Sequence, residues 1–194
     1  MRQSRRDKLA EEALAEIEWS ELGLTTTVRS GLTEADEGAQ YGDRSLHFFA
    51  YSYSEAFKLL WDHASSRQSL VYPMLHACRH SIELWLKAAI SAVSERDPPP
   101  GHRILELWNK LMGAFHGGPT ESVNDVFATL VWPIISEFEQ HDGSGDRFRY
   151  PSDRRFQEYP STEAYLDDLF RAHWLITTYC DAVCSQMEAE RDSW

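Results

Sequence analysis

The sequence predicts an all-α fold, a single-domain helical bundle of about six helices. Apolar residues recur every three or four positions in six separate segments, the spacing that places them on one face of an α-helix. No segment alternates apolar and polar residues as a half-exposed strand would. Turns rich in proline and glycine, such as 97–101 and 116–119, separate the helical segments.

The segment Leu70–Val93 carries the most regular of these patterns. Seven apolar residues form one narrow face of the predicted helix, namely Val71, Leu75, Cys78, Ile82, Leu86, Ala89 and Val93. A polar ridge lies on roughly the opposite side and consists of His76, His80, Glu83 and Lys87. The pattern fits two structures, of which we favour the first: a partly exposed face on which Glu83 and Lys87 form an ordinary surface pair. The second is a central helix whose ridge meets another polar segment or a partner chain.

The remaining segments complete the bundle in chain order. An N-terminal helix or arm (1–24) is poor in apolar residues, and a glycine-containing loop (24–43) follows it. The bundle itself is predicted over 45–190. Its other helices are expected at Ser45–Ser66, Arg103–Phe115, Glu121–Gln140, with Pro133 inside it, and Ser161–Glu190.

Composition limits the classes of function. The net charge of −12 argues against capture of nucleic acid along an extended basic surface, although a local basic site stays open. No run of apolar residues is long enough for a membrane span, and the N-terminus lacks the apolar stretch of a secretory signal. Three cysteines without framework spacing fit a reducing cytoplasm. We therefore expect a cytoplasmic protein without a membrane partner.

Two histidines of the ridge have the spacing of metal ligands. His76 and His80 stand four residues apart, which can bring two imidazoles to one ion. Further ligands are not evident, and no phosphate-binding glycine loop or nucleophile motif occurs. We expect hydrogen-bonding roles for these histidines, with no metal and no cofactor.

The segment 141–162 is a local basic and aromatic patch in an acidic protein. It contains the arginines Arg147, Arg149, Arg154 and Arg155, and among them Tyr150, Asp153 and Tyr159. If this segment meets the ridge, an arginine could stabilise negative charge while a histidine moves a proton. The candidate catalytic residues are His80, His102 and Arg149, and the candidate binding residues are Glu83, Lys87, Arg147, Tyr150 and Asp153. The alternative is a buried polar network that fixes the loop onto the helices.

An ordered set of motifs over roughly 45–188 resembles the HEPN-like helical proteins. The set comprises an aromatic helix, a YPxLxxxRHxxELxLK-type helix (Tyr72 to Lys87), a Gly-His start to the next helix (Gly101, His102) and FRYPxD (Phe148 to Asp153). The resemblance implies a compact helical bundle that commonly forms a homodimer. Many members are metal-independent ribonucleases of toxin–antitoxin and antiphage systems, and others are non-catalytic.

The ribonuclease members carry an Arg-x4–6-His motif that opens a late helix. Here the spacing occurs between Arg96 and His102, and it runs through a proline-rich turn between middle helices. We therefore expect an interaction or regulatory module, in a bacterial defence context, that binds RNA, a nucleotide or a protein partner. The alternative is a metal-independent endoribonuclease that uses Arg149 with His80 or His102.

Overall fold

The computed structural model describes residues 45–118, 125–153, 155–160 and 165–193. Five α-helices carry this part of the chain: α1 (Leu46–Ala64), α2 (Val71–Ser94), α3 (Ile104–His116), α4 (Val126–Asp142) and α5 (Leu166–Asp192). A short 3-10 turn, Gln68–Leu70, joins α1 to α2. No β-strand occurs in these ranges, where the only extended pairing is an isolated bridge between Ser152 and Glu158. The all-α prediction is confirmed for the described residues.

Local chemistry explains where the helices begin and end. The Ser45 hydroxyl accepts a hydrogen bond from the Phe48 amide and caps α1, and Asp125 caps α4 through the amides of Phe127 and Ala128. Helix α3 ends at Gly117, whose φ of 75° is the left-handed conformation that glycine adopts without strain. Two predicted helix starts, 121–124 and 161–164, lie outside the described residues, as do the predicted N-terminal arm (1–24) and the loop 24–43.

Helix α2 lies at the centre of the described bundle and packs against α1, α3 and α5. The predicted apolar face is buried at Leu75, Cys78, Ile82, Leu86 and Ala89. Further residues around the helix are buried as well, including Ala77, Ser81, Trp85 and Ala88. A helix surrounded in this way must pair its polar groups within the protein, because buried polar groups without partners are costly.

The inward face of α3 agrees with its sequence pattern. Ile104, Leu107, Trp108 and Leu111 are all buried. Helix α3 packs against both α2 and α4, so the turn that precedes it comes close to the polar ridge of α2. None of the described helices is long and apolar enough to cross a membrane.

Candidate functional site

Arg79 is the centre of a buried polar network on α2. Its side chain is only 3% exposed. Nη1 donates to Glu83 Oε2 at 2.9 Å, one helical turn away, because residues four apart lie on the same face. Nη2 donates to the main-chain oxygen of His102, and Nε donates to the main-chain oxygen of Asp142 at 3.3 Å. One guanidinium thus joins α2 to the start of α3 and the end of α4.

Glu83 balances the charge of this network. Its Oε1 accepts from Lys87 Nζ at 2.9 Å and lies 2.8 Å from His102 Nδ1. Burial would raise the pKa of the Glu83 carboxyl, but the hydrogen bonds from Lys87 and His102 and the charges of Lys87 and Arg79 hold it below its ordinary value. Glu83 is therefore an ionised carboxylate at neutral pH, with donors on both oxygens.

The loop after α4 closes over Arg79. Gly145 has a φ of 75°, and a Cβ at this position would lie 3.0 Å from Arg79 Cζ. Asp142 Oδ1 accepts the Arg147 amide at 3.0 Å, while Oδ2 lies 3.3 Å from Arg79 Nε without hydrogen-bond alignment. Burial raises the pKa of the Asp142 carboxyl, and the contacts from Arg147 and Arg79 oppose this rise only in part. The loop requires glycine at 145 because of both its backbone conformation and the adjacent guanidinium.

His102 is the exposed member of the network, with 64% of its side chain accessible. Its main chain is fixed by Arg79, and its Nδ1 is paired with Glu83. The contact with Glu83 through Nδ1 directs the opposite edge of the ring, with Nε2, away from that carboxylate. An imidazole oriented by a carboxylate in this way has the arrangement of a general acid or base.

His76 and His80 form a separate pair. Their ring centroids lie 5.7 Å apart in a stacked arrangement, and the edge of the Tyr53 ring meets His80 at 4.4 Å. Burial lowers the pKa of both histidines, and the positive charges of Arg79 and Arg149 act in the same direction. Both imidazoles are therefore mainly neutral at neutral pH. Within the ranges that the structure describes, no group of three or more His, Cys, Asp or Glu side chains is placed to hold a metal ion.

A groove of about 420 Å³ opens where the start of α2 meets the arginine-containing loop. We call it the tyrosine groove and define it by Tyr72, Arg149, Tyr150 and Tyr159, all of which line it. Arg149 donates through Nε to the Gly145 oxygen at 2.7 Å and through Nη2 to Asp146 at 3.1 Å. Its guanidinium also lies 5.9 Å from the centroid of the Tyr150 ring. The side chain is 39% exposed, so its charge is accessible.

Two of the predicted binding residues stabilise the loop itself. Arg147 lines the tyrosine groove, but its guanidinium donates to the main-chain oxygens of His141 at 2.9 Å and Pro160 at 2.8 Å. Asp153 accepts the amides of Arg155 and Gln157 at 2.8 and 2.9 Å and holds a turn. Arg147 thus lines the groove while its guanidinium holds the loop, and Asp153 holds a turn of the same loop.

The structure divides the predicted site into two places. His102, Glu83 and Lys87 meet in the buried network, whereas Arg149, Arg147 and Tyr150 meet in the groove. Neither His80 nor His102 is among the described residues that line the groove. The predicted convergence of a histidine and an arginine on one open groove is therefore not seen there.

Two important residues, Arg79 and Tyr72, were not assigned to the site from the sequence. Arg79 is the clearest, and its signal was present, because an arginine on a mostly apolar helix needs a partner such as the carboxylate four residues later. Tyr72 was noted only as the first residue of the YPxLxxxRHxxELxLK-type helix, and nothing in the spacing of the sequence places it beside the arginine-containing loop.

Compared with known proteins, the chain matches no family model, no curated protein and no solved structure.

Proposed function

We propose that this chain is a HEPN-like interaction module that binds a nucleotide unit, either free or within single-stranded RNA, in the tyrosine groove. The observation that carries the proposal is the grouping of three tyrosines around the accessible guanidinium of Arg149 in one groove. Aromatic side chains beside a positive charge are the usual elements of a site that stacks a base and pairs its phosphate.

The size of the basic surface favours a short ligand. Arg149 and Arg147 contribute positive charge to the groove, Glu158 contributes one negative charge, and the whole chain carries −12. Long-range attraction of a polyanion is weak under these conditions, so contacts within the groove must supply most of the affinity. Base stacking contributes about 1–3 kcal/mol per base and depends little on sequence.

The buried network supports this function by fixing the groove before a ligand arrives. Arg79 contacts Asp142 and packs against Gly145, and the Gly145 oxygen in turn accepts from Arg149. A chain of direct contacts therefore runs from the core of α2 to the ligand-facing guanidinium. A binding residue held in place before association loses less conformational entropy on binding.

Fluorescence polarisation with a short labelled oligouridylate tests the proposal, with unlabelled UMP as competitor. We expect saturable binding that the double variant Arg149→Ala/Tyr150→Ala weakens at least about fivefold. The matched control Tyr51→Ala/Arg171→Ala removes the same two residue types, both exposed and outside the groove, and should bind like the wild type. Competition by UMP indicates a mononucleotide site, and its absence indicates an RNA site. Equal binding by the two double variants contradicts the proposal.

A second candidate function, metal-independent RNA cleavage, is favoured by a different observation. The exposed imidazole of His102 is oriented by the ionised Glu83 carboxylate. In this hypothesis His102 removes the proton from a ribose 2′-hydroxyl, whose oxygen attacks the adjacent phosphorus. The bond between phosphorus and the 5′-oxygen breaks, the leaving 5′-oxygen takes a proton from water, and a 2′,3′-cyclic phosphate remains.

Incubation of mixed RNA with the protein in EDTA distinguishes the two functions. We compare the wild type with His102→Ala and with His80→Ala/Arg149→Ala. Loss of cleavage in His102→Ala alone assigns the reaction to the Glu83–His102 pair. Loss in the double variant alone, at an RNA concentration that saturates its binding, assigns the reaction to His80 and Arg149. Absence of cleavage by the folded wild type removes the ribonuclease alternative and leaves the binding function.

A further inference from the structure

A second cavity lies between α2, α4 and α5 and has a volume of about 250 Å³. Its walls are apolar and come from three helices and the loop after α4, namely Leu75, Ile134, Phe138, Phe148, Leu169 and Ala172. Phe148 also lines the tyrosine groove, but no other described residue is shared by the two. The cavity is thus a distinct chamber with its own wall chemistry.

The polar residues of this cavity give it a negative character. Glu137 and His141 contribute from α4, and Tyr165 and Asp168 contribute from the start of α5. Asp168 accepts a hydrogen bond from Arg171 at 3.2 Å, but both side chains are more than 70% exposed, so the pair is weak and a ligand cation can compete with Arg171 for the carboxylate. None of the described residues that line the cavity is a lysine or an arginine.

We propose that this chamber, which we call the amine cavity, binds an arylalkyl ammonium ligand. The aromatic ring of the ligand occupies the apolar chamber, and the ammonium group of the ligand lies between the Glu137 and Asp168 carboxylates. The size fits, because a cavity of about 150 Å³ already accommodates a benzene molecule. The remaining volume admits the short alkyl chain that carries the nitrogen.

The charge pattern selects the ammonium group over other head groups. A carboxylate of the same length would lie beside Glu137 and Asp168 and would be repelled by both. A cation in this position is attracted by the carboxylates and also by the faces of nearby aromatic rings such as Tyr165. Because the charged group stays near the solvent-exposed residues, it avoids the cost of burying an ion in an apolar chamber.

This inference is independent of nucleotide binding. The amine cavity involves neither Arg149 nor Tyr150, and its ligand carries the opposite charge. A ligand that binds only the folded state raises its apparent stability, so occupancy can be read from thermal unfolding as well as from calorimetry.

Isothermal titration calorimetry with 2-phenylethylamine is the direct test, and 3-phenylpropionate is the anionic counterpart of similar shape. We expect saturable binding of the amine and at least about tenfold weaker binding of the carboxylate. The double variant Glu137→Gln/Asp168→Asn should lose at least about tenfold in amine affinity. The matched control Asp181→Asn/Glu188→Gln, on exposed residues of α5 outside the cavity, should keep it.

A size variant completes the test. Ala172→Leu fills the chamber and should abolish amine binding, while circular dichroism and a cooperative urea unfolding transition confirm that the fold is intact. Absence of saturable amine binding by the wild type overturns the proposal. Equal affinity for the amine and the carboxylate, or full affinity in the Glu137→Gln/Asp168→Asn variant, overturns it as well.

Discussion

The buried network around Arg79 and the tyrosine groove contain similar residue types in opposite environments. Arg79 is 3% exposed and contacts Glu83, His102 and Asp142, whereas Arg149 is 39% exposed and rests on Gly145 and Asp146. The first arginine has protein acceptors for its guanidinium nitrogens. The second keeps an accessible edge beside Tyr150.

This difference indicates separate roles: Arg79 and its partners stabilise the fold, and Arg149 is available to bind a ligand. A buried charge that loses its partner destabilises the fold strongly, but an exposed charge contributes little to stability and much to the capture of a ligand. Substitutions in the network should therefore act mainly on the free energy of unfolding, and on affinity only by the smaller amount that holding Arg149 in place contributes. Substitutions in the groove should change affinity.

The largest effect is expected for Arg79→Leu. It leaves the Glu83 carboxylate short of one buried donor and leaves Asp142 without its cationic neighbour. We expect a loss of about 3–5 kcal/mol in the free energy of unfolding, measured by urea denaturation. Lys87→Met removes a donor to the same carboxylate from a more exposed position and should cost clearly less. Equal costs for the two variants would refute the central position of Arg79.

Gly145 and Gly117 provide a matched pair, because both have a φ of 75°. Alanine at either position adopts the left-handed conformation at a cost of about 1–2 kcal/mol. Only at Gly145 would the added Cβ meet the Arg79 guanidinium, and Gly117 has open space around it. We expect Gly145→Ala to lower the unfolding free energy by at least about 1 kcal/mol more than Gly117→Ala. Equal losses would show that Arg79 moves aside without cost.

A buried polar pair elsewhere in the core makes the free energy of unfolding depend on pH. His173 is 2% exposed and lies 2.7 Å from the Ser81 hydroxyl. Burial, aided by the charge of Lys58, lowers the pKa of His173 to about 3. Below about pH 6.5 the His173 imidazole is therefore protonated in the unfolded chain and stays neutral in the folded protein.

The contribution of His173 to stability is complete above about pH 6.5 and is lost as the pH falls towards 3. Its slope is about 1.4 kcal/mol per pH unit. The free energy of unfolding, measured by urea denaturation, should fall between pH 6 and pH 5 in the wild type. In His173→Gln this fall should be smaller by about 1.4 kcal/mol. His76 and His80, which also have a lowered pKa, contribute to both proteins and cancel in this difference. If the free energy of unfolding changes with pH equally in His173→Gln and in the wild type, another group is responsible for the pH dependence.

The smallest effect concerns the salt dependence of nucleotide binding. A protein contact with one phosphate of single-stranded RNA contributes a slope of about −0.7 to the plot of log affinity against log salt concentration. We expect Arg149→Ala to reduce the slope by about this amount, whereas Tyr150→Ala weakens binding and leaves the slope unchanged. If both variants change the slope equally, Arg149 does not contact the phosphate.

The sequence predicted the helices of the described region well, because their apolar spacing is regular and their ends carry recognisable signals. Helix α2 was predicted to within one residue at each end, and Pro133 is accommodated inside α4 as expected. The contact between Glu83 and Lys87 also follows from spacing alone. These features depend on residues close in the sequence.

The division of the site was not predictable in the same way. Arg79 reaches Asp142, 63 residues later, through a loop whose path is set by Gly145. Arg149 lies near enough to His80 for its charge to lower the pKa of that histidine, but the guanidinium packs beside Tyr150 and the His80 ring packs against Tyr53. The path of this loop and its side-chain contacts depend on tertiary packing, which the spacing of apolar residues does not predict.

The central claim is that the network around Arg79 stabilises the fold and the tyrosine groove binds the ligand. Its most direct test measures two quantities on the same protein preparations. These are the free energy of unfolding in urea and the dissociation constant for labelled oligouridylate. Glu83→Gln should lower stability by about 1.5–3 kcal/mol because it removes a buried charged partner, and should change affinity less than about threefold. Arg149→Ala/Tyr150→Ala should keep stability within about 0.5 kcal/mol and lose at least about fivefold in affinity. The opposite pattern, with affinity lost in Glu83→Gln at full stability and retained in the groove variant, would contradict the account.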